Sequence, residues 1–220
     1  IMKTAILFGA TGLVGSHLLN LLVNSNEYDK IKIFSRKDIK TSNSKIETFI
    51  IDFKEFEKNN DDITGDDCFF LIGTTRKVTP QKKDYIDVEL NLPIKIAKIA
   101  KNNNIKSFIY VSSGGANADS RNLYLQNKGK AEKEIINLSF DFTAIIQPSF
   151  LLGDRKENRV GERIAKSIFK SLSFIFVGKL RPFKAIHANN VAKAIMHITK
   201  NQLKDLFFTS DKLENLSTIN

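Results

Sequence analysis

Lys3-Thr-Ala-Ile-Leu-Phe8 is a short, nearly continuous apolar run that halts at Gly9, the pattern of a parallel strand buried on both faces. From Leu13 to Val23 the apolar residues Val14, Leu18, Leu21 and Leu22 recur at spacings of three and four, which predicts an amphipathic helix. Asn24 to Asp29 supplies turn chemistry, and further strands are expected at Ile31 to Phe34, Ile46 to Ile51, Cys68 to Ile72, Ser107 to Val111 and Phe142 to Ile146. A helical region covers about Lys82 to Lys101, within which Pro93 is expected to end or kink one helix and start another turn. A second one runs from Asn122 to Leu138. Asn59 to Asp62 and Asn102 to Asn104 read as exposed loops.

Strands alternating with helices need crossover connections, so the expected fold is α/β, a doubly wound parallel sheet of Rossmann-like form. One domain is expected over residues 2–220, Ile1 preceding Met2, the expected initiator. After Pro148 the alternation fades into a basic loop, a helix from about Gly161 to Lys170 and an apolar stretch through Val177. We read about 150–187 as a small C-terminal substrate-covering part. Phe169 to Phe176, with Lys166, Lys170 and Lys179 nearby, reads as its apolar lid in preference to a patch on a membrane surface.

Composition changes this picture little. The 42% hydrophobic and 26% charged residues are ordinary for a globular chain and sufficient for a core. No apolar run reaches the roughly 18 to 20 residues that span a bilayer, and no signal-peptide pattern opens the sequence, so a cytoplasmic protein without a membrane span is expected. The formal charge of +10 is spread over lysines at surface spacing, such as Lys95, Lys98 and Lys101, and no nucleic-acid partner is expected. Cys68, beside Phe69, Phe70 and Leu71, reads as a core residue. His17, His187 and His197 show no ligand spacing, so no metal is expected, and His187 reads as a capping or packing residue before a helix starting near Asn189.

The chemistry begins at Gly9-Ala-Thr-Gly12-Leu-Val-Gly15, between the first strand and the first helix. Gly9 permits a tight turn, Gly12 lets backbone N–H groups approach a pyrophosphate, and Gly15 lets helix and strand pack closely. The positive end of the helix dipole favours the anion, so a dinucleotide is expected here. Past the second strand, where a carboxylate would accept from the ribose 2′-hydroxyl of NAD, stand Ser35-Arg36-Lys37. A guanidinium holds a 2′-phosphate through paired charge-assisted bonds, so NADP(H) is favoured over NAD(H), with Asp38 the dissenting residue if the strand ends later. Asp52, past the third strand, is a candidate for the adenine amino group or a plain surface residue.

Tyr124-Leu-Gln-Asn-Lys128 lies on the helix that follows the Ser107–Val111 strand, and the four-residue spacing puts both side chains on one face. Tyr28 and Lys32 share the spacing but straddle a loop and a strand. Tyr124 follows Ser112-Ser113, expected at the carboxyl end of a central strand, where ligands bind in open α/β sheets. A neutral tyrosine is a poor proton carrier near pH 7 unless a cation stabilises its phenolate, which Lys128 supplies. Tyr124 is thus the expected acid/base and Ser112 the expected polariser of a substrate carbonyl, with Ser113 close behind.

These segments, with Leu71-Ile-Gly-Thr-Thr-Arg76, Val111-Ser-Ser113 and Pro148-Ser-Phe-Leu-Leu-Gly-Asp-Arg155, resemble the atypical branch of the short-chain dehydrogenase/reductase superfamily, the Tat-interactive protein 2 oxidoreductase-like branch. The likeness covers most of the chain. It implies that Thr11, Gly12, Leu13 and Val14 line the pyrophosphate and that Arg36 and Lys37 meet the 2′-phosphate. It further implies that Gly73 and Thr74 border the cofactor's central portion, that Leu151 and Arg159 lie on its far side, and that Lys128 also holds the nicotinamide ribose. The branch commonly has two arginines after the second strand, where this chain has Arg36 and Lys37, keeping the charge but losing one fork.

The expected function is therefore NADP(H)-dependent oxidation or reduction of a small carbonyl or alcohol substrate. The alternative is a non-catalytic NADP(H)-sensing module. A protein partner or homodimer is compatible with either.

Overall fold

A computed structural model describes residues 2–52, 60–153 and 184–219. Their elements are β1 (Lys3–Phe8), α1 (Leu13–Asn24), β2 (Tyr28–Ser35), β3 (Ile46–Ile50), β4 (Asp67–Phe70) and α2 (Lys82–Ile86). A π-helical segment (Asp87–Asn91) leads directly into α3 (Leu92–Asn102). There follow β5 (Ser107–Val111), α4 (Leu123–Asn137), β6 (Phe142–Gln147), β7 (Leu151–Leu152), β8 (Ile186–His187), α5 (Ala188–Asn201), β9 (Phe207–Thr209) and α6 (Ser210–Leu216).

Seven strands form one sheet in the order β3-β2-β1-β4-β5-β6-β9, every pairing parallel. The chain steps from β1 outward to β3, then returns to the other side of β1 with β4. That reversal opens a crevice at the carboxyl ends of β1 and β4, where open α/β sheets take ligands. The strands end level: Phe8 pairs with Phe34 and with Phe70, Phe70 with Tyr110, and Val111 with Ile146. The doubly wound α/β fold expected from the sequence is the one observed.

Strand alternation divides the core. Leu7, Ile33, Phe69, Ile109 and Ile146 face α1 and α5 through Leu18, Leu22, Val191, Ile195 and Ile198. Ile6, Phe8, Cys68, Phe70, Phe108 and Tyr110 face α3 and α4 through Ile96, Ala100, Ala131 and Ile135. On that second face a row of rings crosses five strands. Phe49 stacks on Phe34 with centroids 4.8 Å apart and Phe34 on Phe8 at 5.0 Å, and the row continues to Phe70 at 5.8 Å and Tyr110 at 6.1 Å. Cys68 lies in this core, its thiol pushed up by burial.

One local expectation is corrected and two gain detail. Pro93 starts another turn as expected, standing in the first turn of α3 directly after the π-helical segment, where its missing N–H costs least. Tyr28 and Lys32 both lie on β2 and have separate partners: the Tyr28 hydroxyl donates to Asp67 Oδ2 at 2.8 Å, whereas Lys32 Nζ donates to Thr64 Oγ1 at 2.7 Å. The Asn60 and Asn103 loops are tied together, Asn103 Nδ2 donating to the carbonyls of Asn60 at 2.7 Å and Ile63 at 2.8 Å. β9 was not expected at all. The helix expected at Gly161–Lys170, the lid at Phe169–Phe176 with its lysines, and Arg155 and Arg159 lie outside the described residues.

Candidate cofactor and proton-transfer site

Gly9 follows β1 with φ +92°, and a Cβ there would sit 2.8 Å from the carbonyl carbon of Leu71, so both the turn and the backbone just past β4 require glycine. A Cβ on Gly15 would lie 2.0 Å from the Gly9 oxygen, so α1 packs directly on the loop. The Gly12 N–H closes the turn onto that same oxygen at 2.9 Å. Gly12 is also the N-cap of α1 and contributes no capping side chain, leaving the first-turn amides of Leu13 and Val14 free to face an anion. Thr11 is exposed at the tip of the loop.

β2 ends at Ser35, so Arg36 and Lys37 follow immediately and are exposed beside the Gly9 turn. Arg36 has no ion-pair partner among the described residues. Asp52 is exposed just past β3. Leu151 starts β7, and the Leu13 side chain lies against Gly153, so this segment borders the glycine loop. A cradle shaped by glycine and an uncapped helix end fit a dinucleotide diphosphate.

The second half of the site stands on α4. Asn122 caps this helix, its side-chain oxygen accepting from the Tyr124 N–H at 2.9 Å and the Leu125 N–H at 3.2 Å. The cap fixes Tyr124 in the first turn and Lys128 one turn further on the same face. Lys128 is 3% exposed; its Nζ pairs with Glu89 Oε2 at 2.9 Å, donates to the Val111 carbonyl at 3.4 Å and lies over the Tyr110 ring, 5.0 Å from its centroid. Burial alone would lower its proton affinity, but Tyr110, Glu89 and Tyr124 outweigh that and hold the ammonium above its ordinary range.

Glu89, in the π-helical segment, was missed by sequence reasoning. Its side chain is wholly buried, and Oε1 accepts the Thr74 N–H at 2.5 Å while Oε2 meets Lys128. Gly73 lies alongside, a Cβ there falling 3.5 Å from Glu89 Oε1. Its sequence signal is a single acid inside Val88-Glu-Leu-Asn-Leu-Pro93, an otherwise largely apolar run upstream of a proline. Nearby, the exposed Arg76 guanidinium lies over the Tyr85 ring, 5.4 Å from its centroid. Burial, Glu89 and Tyr124 raise the Tyr85 hydroxyl to about 12, with Lys128 and Arg76 opposing.

The two serines diverge. Ser112 continues the alternation of Phe108 and Tyr110, is 5% exposed and donates its hydroxyl to Glu132, which also accepts from Gln147 Nε2 at 2.9 Å. Burial raises Glu132, the Gln147 and Ser112 bonds and Lys128 opposing. Ser113 is half-buried, and its hydroxyl makes only a long contact, 3.4 Å, to the Gly114 carbonyl. The Ser112 hydroxyl is thus engaged beneath α4, and the Ser113 hydroxyl is the less engaged of the two. His187 is the N-cap residue of α5, without a side-chain capping bond.

Residues 9–202 match the family described as NAD(P)H-binding. The chain is 35% identical over 213 residues to the mitochondrial protein FMP52 of Meyerozyma guilliermondii, covering 91% of this chain and 87% of that one. It is 31% identical over 174 residues to HTATIP2 of Rattus norvegicus, covering 77% and 72%. Among solved structures, the UDP-N-acetylglucosamine 4-epimerase of Methanobrevibacter ruminantium superposes with a TM-score of 0.68 at 15% identity, covering 97% of this chain and 80% of that one. That likeness concerns the fold. The cytoplasmic expectation is corrected, because FMP52 relatives from three yeasts are named mitochondrial, which points to the mitochondrion instead. Among the described residues no helix is long and apolar enough to cross a membrane. With its glycine cradle, its Tyr-Lys helix and these relatives, the chain belongs to the NAD(P)H-binding family, in the atypical short-chain dehydrogenase/reductase branch of HTATIP2 and FMP52.

Proposed function

We propose that this protein is an NADP(H)-dependent oxidoreductase for a small carbonyl or alcohol substrate, acting as a single domain. The supporting observation is that the Tyr124–Lys128 face stands at the same carboxyl rim of the sheet as the glycine cradle, with Lys128 buried and charged. The Leu13 and Val14 amides hold the diphosphate, Arg36 with Lys37 holds the 2′-phosphate, and Asp52 meets the adenine amino group. Gly73 and Thr74 border the central portion, and Leu151 lies on the far side.

When bound, the reduced nicotinamide supplies hydride. Ser113 donates a hydrogen bond to the substrate oxygen, and Tyr124 gives that oxygen its proton as negative charge develops there. Lys128 stabilises the phenolate that remains and holds the ribose hydroxyls. In the oxidative direction each proton step reverses.

The test is oxidation of NADPH against a panel of small aldehydes and ketones, with calorimetric titration of the cofactor alongside. Tyr124→Phe is expected to keep cofactor affinity and lose turnover by about 10²-fold or more. Equal rates for wild type and Tyr124→Phe would refute the assignment. Tight NADPH binding without turnover on any substrate would favour the sensing module.

A further inference from the structure

We propose that Glu89 is the positioning residue that keeps Lys128 a cation and fixes it against the backbone of the Gly73–Thr74 loop. An ammonium removed from water favours losing its proton unless an anion stands beside it. Among the described residues five ionisable groups face Lys128: Glu89 from the π-helical segment, Tyr110 from β5, Tyr85 from α2, and Tyr124 and Glu132 from its own helix. Tyr85 and Tyr110 are both raised to about 12 by burial and bring no negative charge near neutrality. Glu132 spends its Oε1 on Ser112 and Gln147. Glu89 is the carboxylate at contact distance, 2.9 Å, and its other oxygen is held by the Thr74 N–H.

Glu89 stands four residues after Tyr85 and three before Leu92, both buried, so helical spacing puts its carboxylate on the inward face. The importance of Lys128 for proton transfer rests on the reading of Tyr124 given above. Its charge state does not, and can be measured without substrate or cofactor.

The experiment is denaturant unfolding of the full chain from about pH 6 to pH 9, for wild type, Glu89→Gln, Lys128→Met and the double variant. In Glu89→Gln the folded state is expected to release the Lys128 proton that the unfolded chain keeps up to about pH 10. A depressed lysine value in the folded state makes stability rise with pH, so this variant should recover toward wild type as pH increases. Lys128→Met in the same background should flatten that rise. Glu89→Gln running parallel to wild type at every pH overturns the proposal. Should Glu89→Gln not fold, the double variant decides: recovered folding supports the proposal, and a double variant as defective as the single overturns it. A wild type inactive on every carbonyl, with the Glu89→Gln rise intact, sinks the catalytic reading alone.

Discussion

The Ser112 hydroxyl donates to Glu132, joining the end of β5 to the middle of α4, while Ser113 one residue on has no comparable partner. The two serines should therefore separate stability from chemistry. Ser112→Ala is expected to cost about 1–2 kcal/mol of unfolding free energy, the range for a lost bond to a buried acceptor, with NADPH affinity kept. Ser113→Ala should unfold like wild type and lower kcat by about 10²-fold, as for loss of one donor to a developing oxyanion. Denaturant melts beside steady-state rates would reveal an exchange of these roles.

Glu132 predicts a pH dependence. Burial raises its folded value above the ordinary carboxylate range, so the folded state binds this proton more tightly than the unfolded chain. The resulting stabilisation is complete below about pH 4 and is lost as pH rises through the raised folded value. The melting temperature of wild type minus that of Glu132→Gln should fall across that window. A difference that is constant with pH would mean that Glu132 titrates as it does in the unfolded chain.

Arg36 stands exposed directly after β2, with no anion paired to it among the described residues. Arg36→Ala should weaken NADPH by about 10-fold or more and leave NADH nearly unchanged, since the partner proposed for the guanidinium is the extra phosphate. Lys37→Ala should cost less, having no fork to lose. Calorimetry with both cofactors measures this, and a parallel loss of NADH affinity would assign Arg36 to the loop's fold.

Tyr28→Phe removes the hydroxyl that Asp67, only 1% exposed, accepts at 2.8 Å, leaving Lys3 as its partner at 3.1 Å. The expected cost is about 1–3 kcal/mol, the penalty for an under-bonded buried acceptor. Cofactor affinity should not change, because this cluster sits at the opposite ends of β1, β2 and β4 from Gly9 and Arg36.

The sequence made the α/β class and most of the sheet readable because buried parallel strands leave continuous apolar runs, and Gly9, Gly12 and Gly15 mark the one bend where backbone must approach backbone. The Tyr124–Lys128 face was readable from helical spacing. Glu89 was not: it stands at inward helical spacing from Tyr85 and Leu92, but the cation it meets lies on another helix, α4, which no local pattern announces. The choice between Ser112 and Ser113 depended on Glu132, twenty positions away on another element. β9 escaped because three residues, Phe207 to Thr209, are too few to establish a period.

The Lys3–Asp67–Tyr28 cluster gives the lower edge of the sheet its own polar clasp, independent of the ligand-bearing edge. Evolution, or an engineer, can thus adjust how firmly this protein stays folded at one end without retuning what it recognises at the other. Two proteins of this branch could diverge widely in heat tolerance while handling the same nucleotide in the same way.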